Sequence, residues 1–307
     1  MYQTAAEVGI RVAAEPDSEI LAGPSIGSIF RSYNALIEQA AQCPDLEALV
    51  LVHQDTEIVD HDFCQRARFA LADPDVGLVG CVGAVGVRSI AWWEGSVSAA
   101  SFVHRYDDHG GGDLPAFSWA WGDAPPYART GEVDTLDGFL LILSPWVVRN
   151  VRFDESLGQF HGYDLDFCLQ VQAAGRKVVT AELRAVHHHS LEPFRDPQPW
   201  IDAHVRVADK WDGVMPGIGT GPGSWEDRAL RADAIRDVAR VIDHANGLKF
   251  EARIRELDQA LEEMTQSISW RITAPLRWVQ RVDPPDARWS RIWPRLRFAS
   301  IEPGHRR

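Results

Sequence analysis

The chain has 307 residues, 45% of them hydrophobic, with 12 Trp and 12 Phe, which supplies apolar mass for a sizeable core and excludes disorder throughout. A net charge of −13 argues against nucleic-acid binding by the whole chain, and four scattered cysteines with no C-x-x-C pair exclude a disulfide scaffold or a zinc ribbon. No run of roughly 18 apolar residues exists, and Met1-Tyr2-Gln3-Thr4 begins no basic-then-apolar leader, so no membrane span or secretion signal is expected.

Through residue 210, strand-like and helix-like segments alternate. Residues 9–14 read as a short strand and 15–18 as a turn, and residues 28–42 read as a helix with Ile29, Tyr33, Leu36, Ile37 and Ala40 on one face. Residues 48–52 are a continuous apolar run that turns polar at His53-Gln54-Asp55, as a buried parallel strand does at its end. A helix over 62–72 follows, then buried strand-like runs at 76–87, 139–143, 178–180 and 183–186. Strands separated by helices predict an α/β fold with a mostly parallel sheet. Residues 104–130 have no period and are rich in Gly, Pro, Asp and aromatics, the signature of a mobile substrate loop. Residues 213–224 read as a Gly/Pro linker, and 225–267 as a helical stretch with a break at Asn246-Gly247.

Three groups of residues carry chemistry. Asp55, at the end of a buried strand, stands where α/β sheets bind ligands and where a carboxylate holds a divalent cation; capping of the next helix is the alternative. Asp164 and Asp166 stand where an amphipathic helix begins, after a run dense in aromatic, acidic and His residues. Asp166 is assigned to the helix start, and Asp164, beside an apolar wall, suits a general base. His187-His188-His189 end another apolar strand; strand alternation puts His187 and His189 on one face, where one is a candidate ligand unless the run is structural.

In chain order these segments resemble a family-2-like bacterial glycosyltransferase of the GT-A fold. The segments are SYNALIEQA (32–40), LVLVHQDTEI (49–58), WWEG (92–95), VDTLDGFLLILS (133–144), RFDESLGQFHGYDLDFCLQVQAAG (152–175) and HHHS (187–190). SISWRITAPLR (267–277) resembles a tail of polysaccharide-assembly glycosyltransferases. The resemblance implies a GT-A-like (Rossmann-like) α/β domain over 1–212, a linker over 213–224, a C-terminal helical extension over 225–268 and a basic tail over 269–307. The family's opening strand has little room before Gly9, which implies a sheet without it or a late chain start.

The resemblance also implies roles. Asp55 matches the metal-binding acid of the D-x-D motif, whose first acid is His53 here; His53 and one of His187, His188 and His189, with His187 and His189 as the candidates, would join it on Mn2+ or Mg2+. Asp164 matches the catalytic base. Asp17, Asn34, Gln54, Asp137 and Gly138 would border a nucleotide-diphosphate sugar donor. Trp92, Trp93, Glu94, His161 and Tyr163 would border a glycan or lipid-linked glycan acceptor. The implied activity is an inverting sugar transfer in cell-surface polysaccharide assembly; a non-catalytic sugar- or partner-binding module and a metal-dependent hydrolase are the alternatives. Residues 271–307 hold nine Arg against three acids, a charge of +6, interleaved with Trp278, Trp289 and Trp293. Such a tail suits peripheral contact of a cytoplasmic protein with the anionic inner face of the cytoplasmic membrane; packing on the acidic body or self-association is the alternative.

Overall fold

In the computed structural model the described residues are 4–99, 101–105, 113–114, 116–188, 194–214 and 225–273. His189, the linker from residue 215 and the basic tail from residue 274 lie outside them. The chain divides into two compact units, Met1–Arg253 and Ile254–Arg307.

The first unit opens with α1 (Ala5–Ala13), not with the strand expected at 9–14. Thr4 and Glu7 form a reciprocal capping box at its start, so two otherwise unpaired N–H groups are satisfied and the helix is nucleated locally. It lies on β2 (Thr56–Ile58), where Gly9 faces the Ile58 backbone too closely for any side chain. Next, α2 (Ile29–Ala40), capped by Ser28, buries Phe30, Tyr33, Ile37 and Ala40 at helical spacing.

Three sheets follow. The first has the order β1 (Leu49–Val52), β9 (Leu140–Leu143), β3 (Val76–Gly80), β10 (Lys177–Thr180). The second runs β2, β11 (Ala185–His188), β6 (Phe102–Arg105), β7 (Asp113–Leu114), and the third β5 (Ser96–Ala99), β4 (Val82–Val85), β8 (Thr135–Leu136). The α/β class with flanking helices holds, but the sheets are not mostly parallel. Only β3–β10 and β6–β11 pair in parallel; the other pairings between described strands are antiparallel. The apolar runs predicted burial, and β3 and β9 are indeed buried along their length, but burial on both faces carries no strand direction.

Helices α3 (Phe63–Ala70), α4 (Pro145–Asn150), α5 (Tyr163–Ala173) and α6 (Gln198–Lys210) flank the sheets. Asp166, wholly buried, fastens α5 to α6: its Oδ1 accepts from Trp211 Nε1 at 2.8 Å and lies 2.7 Å from Lys210 Nζ. The long α7 (Trp225–Gln266) continues through Asn246-Gly247, where a break was expected, and buries Leu230, Ala234, Val238, Val241 and Ala245. The second unit holds the end of α7 and the short α8 (Ile268–Ile272), with Ser267 as its N-cap. Among the described residues no helix is long and apolar enough to cross a membrane.

Candidate active site

The antiparallel pairing of β1 with β9 sets the site. It places the residue after β1, His53, beside the residues before β9, Asp137-Gly138-Phe139, and His53 N–H donates to the Phe139 carbonyl at 2.9 Å. The second sheet adds His104 and His187, which are register partners on β6 and β11. The start of α5 adds Tyr163 and Asp164, after Gly162 with φ 78°, a left-handed conformation that glycine adopts without strain.

These elements surround a cleft of about 180 Å3. Of the residues singled out above, His53, Asp55, Trp92, Trp93, Asp137, His161, Tyr163, Asp164 and His187 line it. Gly138 lies beneath, its Cα packed against the Tyr163 ring so closely that no Cβ fits. Glu94 is buried behind the wall, where its Oε1 accepts from Arg88 N–H at 2.7 Å. Asp17, Asn34 and Gln54 are not among the lining residues. Asp17 and Gln54 are exposed, and the Asn34 amide is spent on both backbone groups of Phe153, donating at 2.9 Å and accepting at 2.8 Å. His188 points to Glu57, with Nε2 3.1 Å from Oε2.

Sequence reasoning missed His104, Phe117, Phe160 and Trp200, which also line the cleft. His104 falls in the segment read as an aperiodic loop. The alternation Phe102-Val103-His104-Arg105, buried at its first and third positions, was the signal for a strand. Residues 116–128 are held by backbone hydrogen bonds: Trp119 N–H donates to Trp93 O at 2.6 Å, and Val97 exchanges bonds with Pro126 and Ala128.

One end of the cleft is rich in cation ligands. His53, Asp55 and His187 each present a ligand atom, all within 4.8 Å of one another, and His104, Asp137 and His187 form a second such set. Asp55 Oδ1 is buried, accepts no hydrogen bond, and has His187 Nε2 at 3.6 Å and His53 Nδ1 at 3.9 Å. That spacing is too wide for hydrogen bonds and leaves the oxygen for an ion, so the residues present fit a divalent cation. Tyr163 Oη, 2.7 Å from His53 Nε2, orients the imidazole. Phe139 stacks on His187 with ring centroids 4.5 Å apart.

The carboxylates beside this end are perturbed by burial. The Asp164 carboxyl is pushed up to about 6, although the Leu165 and Gly138 N–H groups donate to it at 2.9 and 3.3 Å and hold it down. The Asp137 carboxyl is pushed up to about 8, by burial first and by the Asp164 charge second. The other end is aromatic: Trp93 stacks near Trp200 with centroids 6.5 Å apart, and its indole Nε1 is buried without a hydrogen-bond acceptor. Burial pulls His161, on the same side, down to about 4, so it is neutral at pH 7.

Known proteins resemble the chain as a whole. The chain is 28% identical over 215 residues to the streptomycin biosynthesis protein StrF of Streptomyces griseus, covering 68% of this chain and 69% of that protein. It is 28% identical over 275 residues to the O-antigen biosynthesis protein RfbC of Myxococcus xanthus, covering 83% of this chain but 20% of RfbC, so it spans about a fifth of that relative. Among solved structures it is similar to the mannosyltransferase PcManGT from Pyrobaculum calidifontis in complex with GDP-Man and Mn2+, with TM-score 0.35 and 13% identity over 80% of this chain and 63% of that one. The model of the glycosyltransferase-like family matches residues 10–201, well over half of the chain, and the chain belongs to that family of sugar-transferring enzymes.

Proposed function

We propose that this glycosyltransferase moves a sugar from a nucleotide-diphosphate donor to a hydroxyl of a glycan or lipid-linked glycan, with inversion and with the help of a divalent cation. One observation carries the reading: a half-buried, partly basic carboxylate, Asp164, shares a cleft with the ligand set His53, Asp55 and His187, facing an aromatic wall. The two named relatives, from streptomycin and O-antigen biosynthesis, support saccharide assembly as the setting.

Asp164 takes the proton from the acceptor hydroxyl, whose oxygen then attacks the anomeric carbon from the side opposite the leaving diphosphate. A carboxyl titrating near 6 is ionised at neutral pH yet more basic than an exposed one, and a positioned base contributes about 10²–10⁴-fold. Among the described residues that line the cleft there is no Lys or Arg to meet a diphosphate. A cation held by His53, Asp55 and His187 supplies Lewis-acid stabilisation of the leaving group when bound. Two imidazoles and one carboxylate suit Mn2+ better than Mg2+, which prefers oxygen ligands. Trp93, Trp200 and Phe160 offer apolar faces to a sugar ring and exclude water around the acceptor oxygen.

Asp164→Asn tests the assignment. The variant should bind the donor as the wild type does and transfer nothing. Retained transfer would remove Asp164 as the base. Release of free sugar by the wild type at a rate that added acceptor leaves unchanged would instead identify a hydrolase.

A further inference from the structure

The C-terminal part of α7 exposes an apolar stripe. Ile254, Leu257, Leu261 and Met264 are each 47–58% exposed, and Phe250, four residues before the first, is 68% exposed. Steps of four, three, four and three are the spacing of a coiled-coil seam, with Ile254 and Leu261 at a and Phe250, Leu257 and Met264 at d. The stripe does not continue the buried face of the same helix. Val238, Ala245 and Ala252, buried and one heptad apart, are two residues out of phase with it, a rotation of about 200° around the helix.

Charge selects what covers the stripe. Residues 250–264 carry Arg253 and Arg255 against Glu251, Glu256, Asp258, Glu262 and Glu263, a net charge of −3. Helices that lie on anionic lipid carry Lys and Arg on their polar face, so this one is of the wrong sign for a membrane. Complementarity to a second copy is confined to the positions that flank the stripe. With Ile254 at a, Arg253 is at g and Asp258 at the following e, and a parallel, in-register pair sets g of one copy against that e of the other. Two opposite-charge pairs then form about the two-fold axis, whereas an antiparallel pair sets g against g and e against e. Ile at a followed by Leu at d favours two parallel strands.

We propose that this stripe is a homodimer seam, through which two copies of the chain pair residues 250–264 in parallel. Sedimentation of the full chain over a wide concentration range tests it. The wild type should pass from monomer to dimer, while Leu257→Glu with Leu261→Glu remains monomeric and keeps its helical circular dichroism and cooperative melting. Arg253→Glu alone and Asp258→Arg alone should each weaken the dimer several-fold, and the two together should restore it. Residues five apart on one helix do not face each other, so restoration reports contact between copies. A wild type monomeric at every concentration, as results if residues 274–307 cover the stripe within one chain, overturns the proposal. So does a dimer that survives the double glutamate variant, or a charge exchange that fails to restore pairing.

Discussion

Asp164 couples the proposed chemistry to stability in a way that pH resolves. Burial raises its carboxyl from the ordinary 3.8 to about 6. A carboxyl raised in the folded state keeps its proton there after the unfolded chain has lost it. Its contribution is therefore fully present below about pH 4 and is lost as pH rises through about 6, a gap of about 3 kcal/mol. Asp164→Asn cannot ionise, and any fixed effect of its altered hydrogen bonds to Gly138 and Leu165 is the same at every pH. Urea unfolding of both proteins, repeated from about pH 4 to pH 7, should show the wild type losing about 2 kcal/mol of this relative to the variant. Removing the Asp164 charge also eases ionisation of Asp137, whose carboxyl it helps to raise, and this moves the difference in the same direction. Transfer by the wild type should fall below about pH 6 as Asp164 takes up its proton. A stability difference that stays flat or rises with pH would refute the assignment of Asp164 as a base of raised pKa.

The other predictions concern neighbouring groups. Gly138→Ala pushes a methyl group into the buried Tyr163 ring, and overpacking of this kind costs about 1–3 kcal/mol; the same change should weaken cation binding, since Tyr163 Oη orients His53, and calorimetry with Mn2+ reads it. Asp166→Ala should cost about 3 kcal/mol in urea unfolding, because a wholly buried carboxylate that Trp211 and Lys210 share is removed. Part-exposed Lys210 keeps Asp154 at 2.6 Å, which limits the loss, and nucleotide binding by the folded fraction should be unchanged. Trp93→Ala should raise the acceptor KM and leave donor binding intact, measured by transfer at varied acceptor concentration.

The sequence showed the site more clearly than the sheet around it. His53, Asp55, Asp164 and His187 were marked by position, each a polar residue at the end of an apolar run or the start of a helix, and they meet in one cleft. Strand direction was not marked, because β9 is buried at all four positions and such a run reads the same either way. Ile10-Arg11-Val12 alternates like a strand, yet the Thr4–Glu7 capping box, a local signal four residues long, decides for helix. His104 was hidden by its setting: a four-residue strand inside a Gly- and Pro-rich stretch is outweighed by its neighbours in any window reading. Asn34 was placed at the donor by resemblance alone, and only the tertiary structure reveals the Phe153 backbone it serves.

Donor binding decides whether the cleft is a metal-assisted sugar-nucleotide site. UDP-, GDP-, dTDP- and CDP-sugars are titrated into the full chain by thermal shift and NMR, with and without Mn2+, alongside Asp55→Ala. One nucleotide class should stabilise the wild type when Mn2+ is present, and Asp55→Ala should lose this response. No response to any nucleotide with or without the ion, or a response that Asp55→Ala leaves unchanged, would contradict this reading of the cleft.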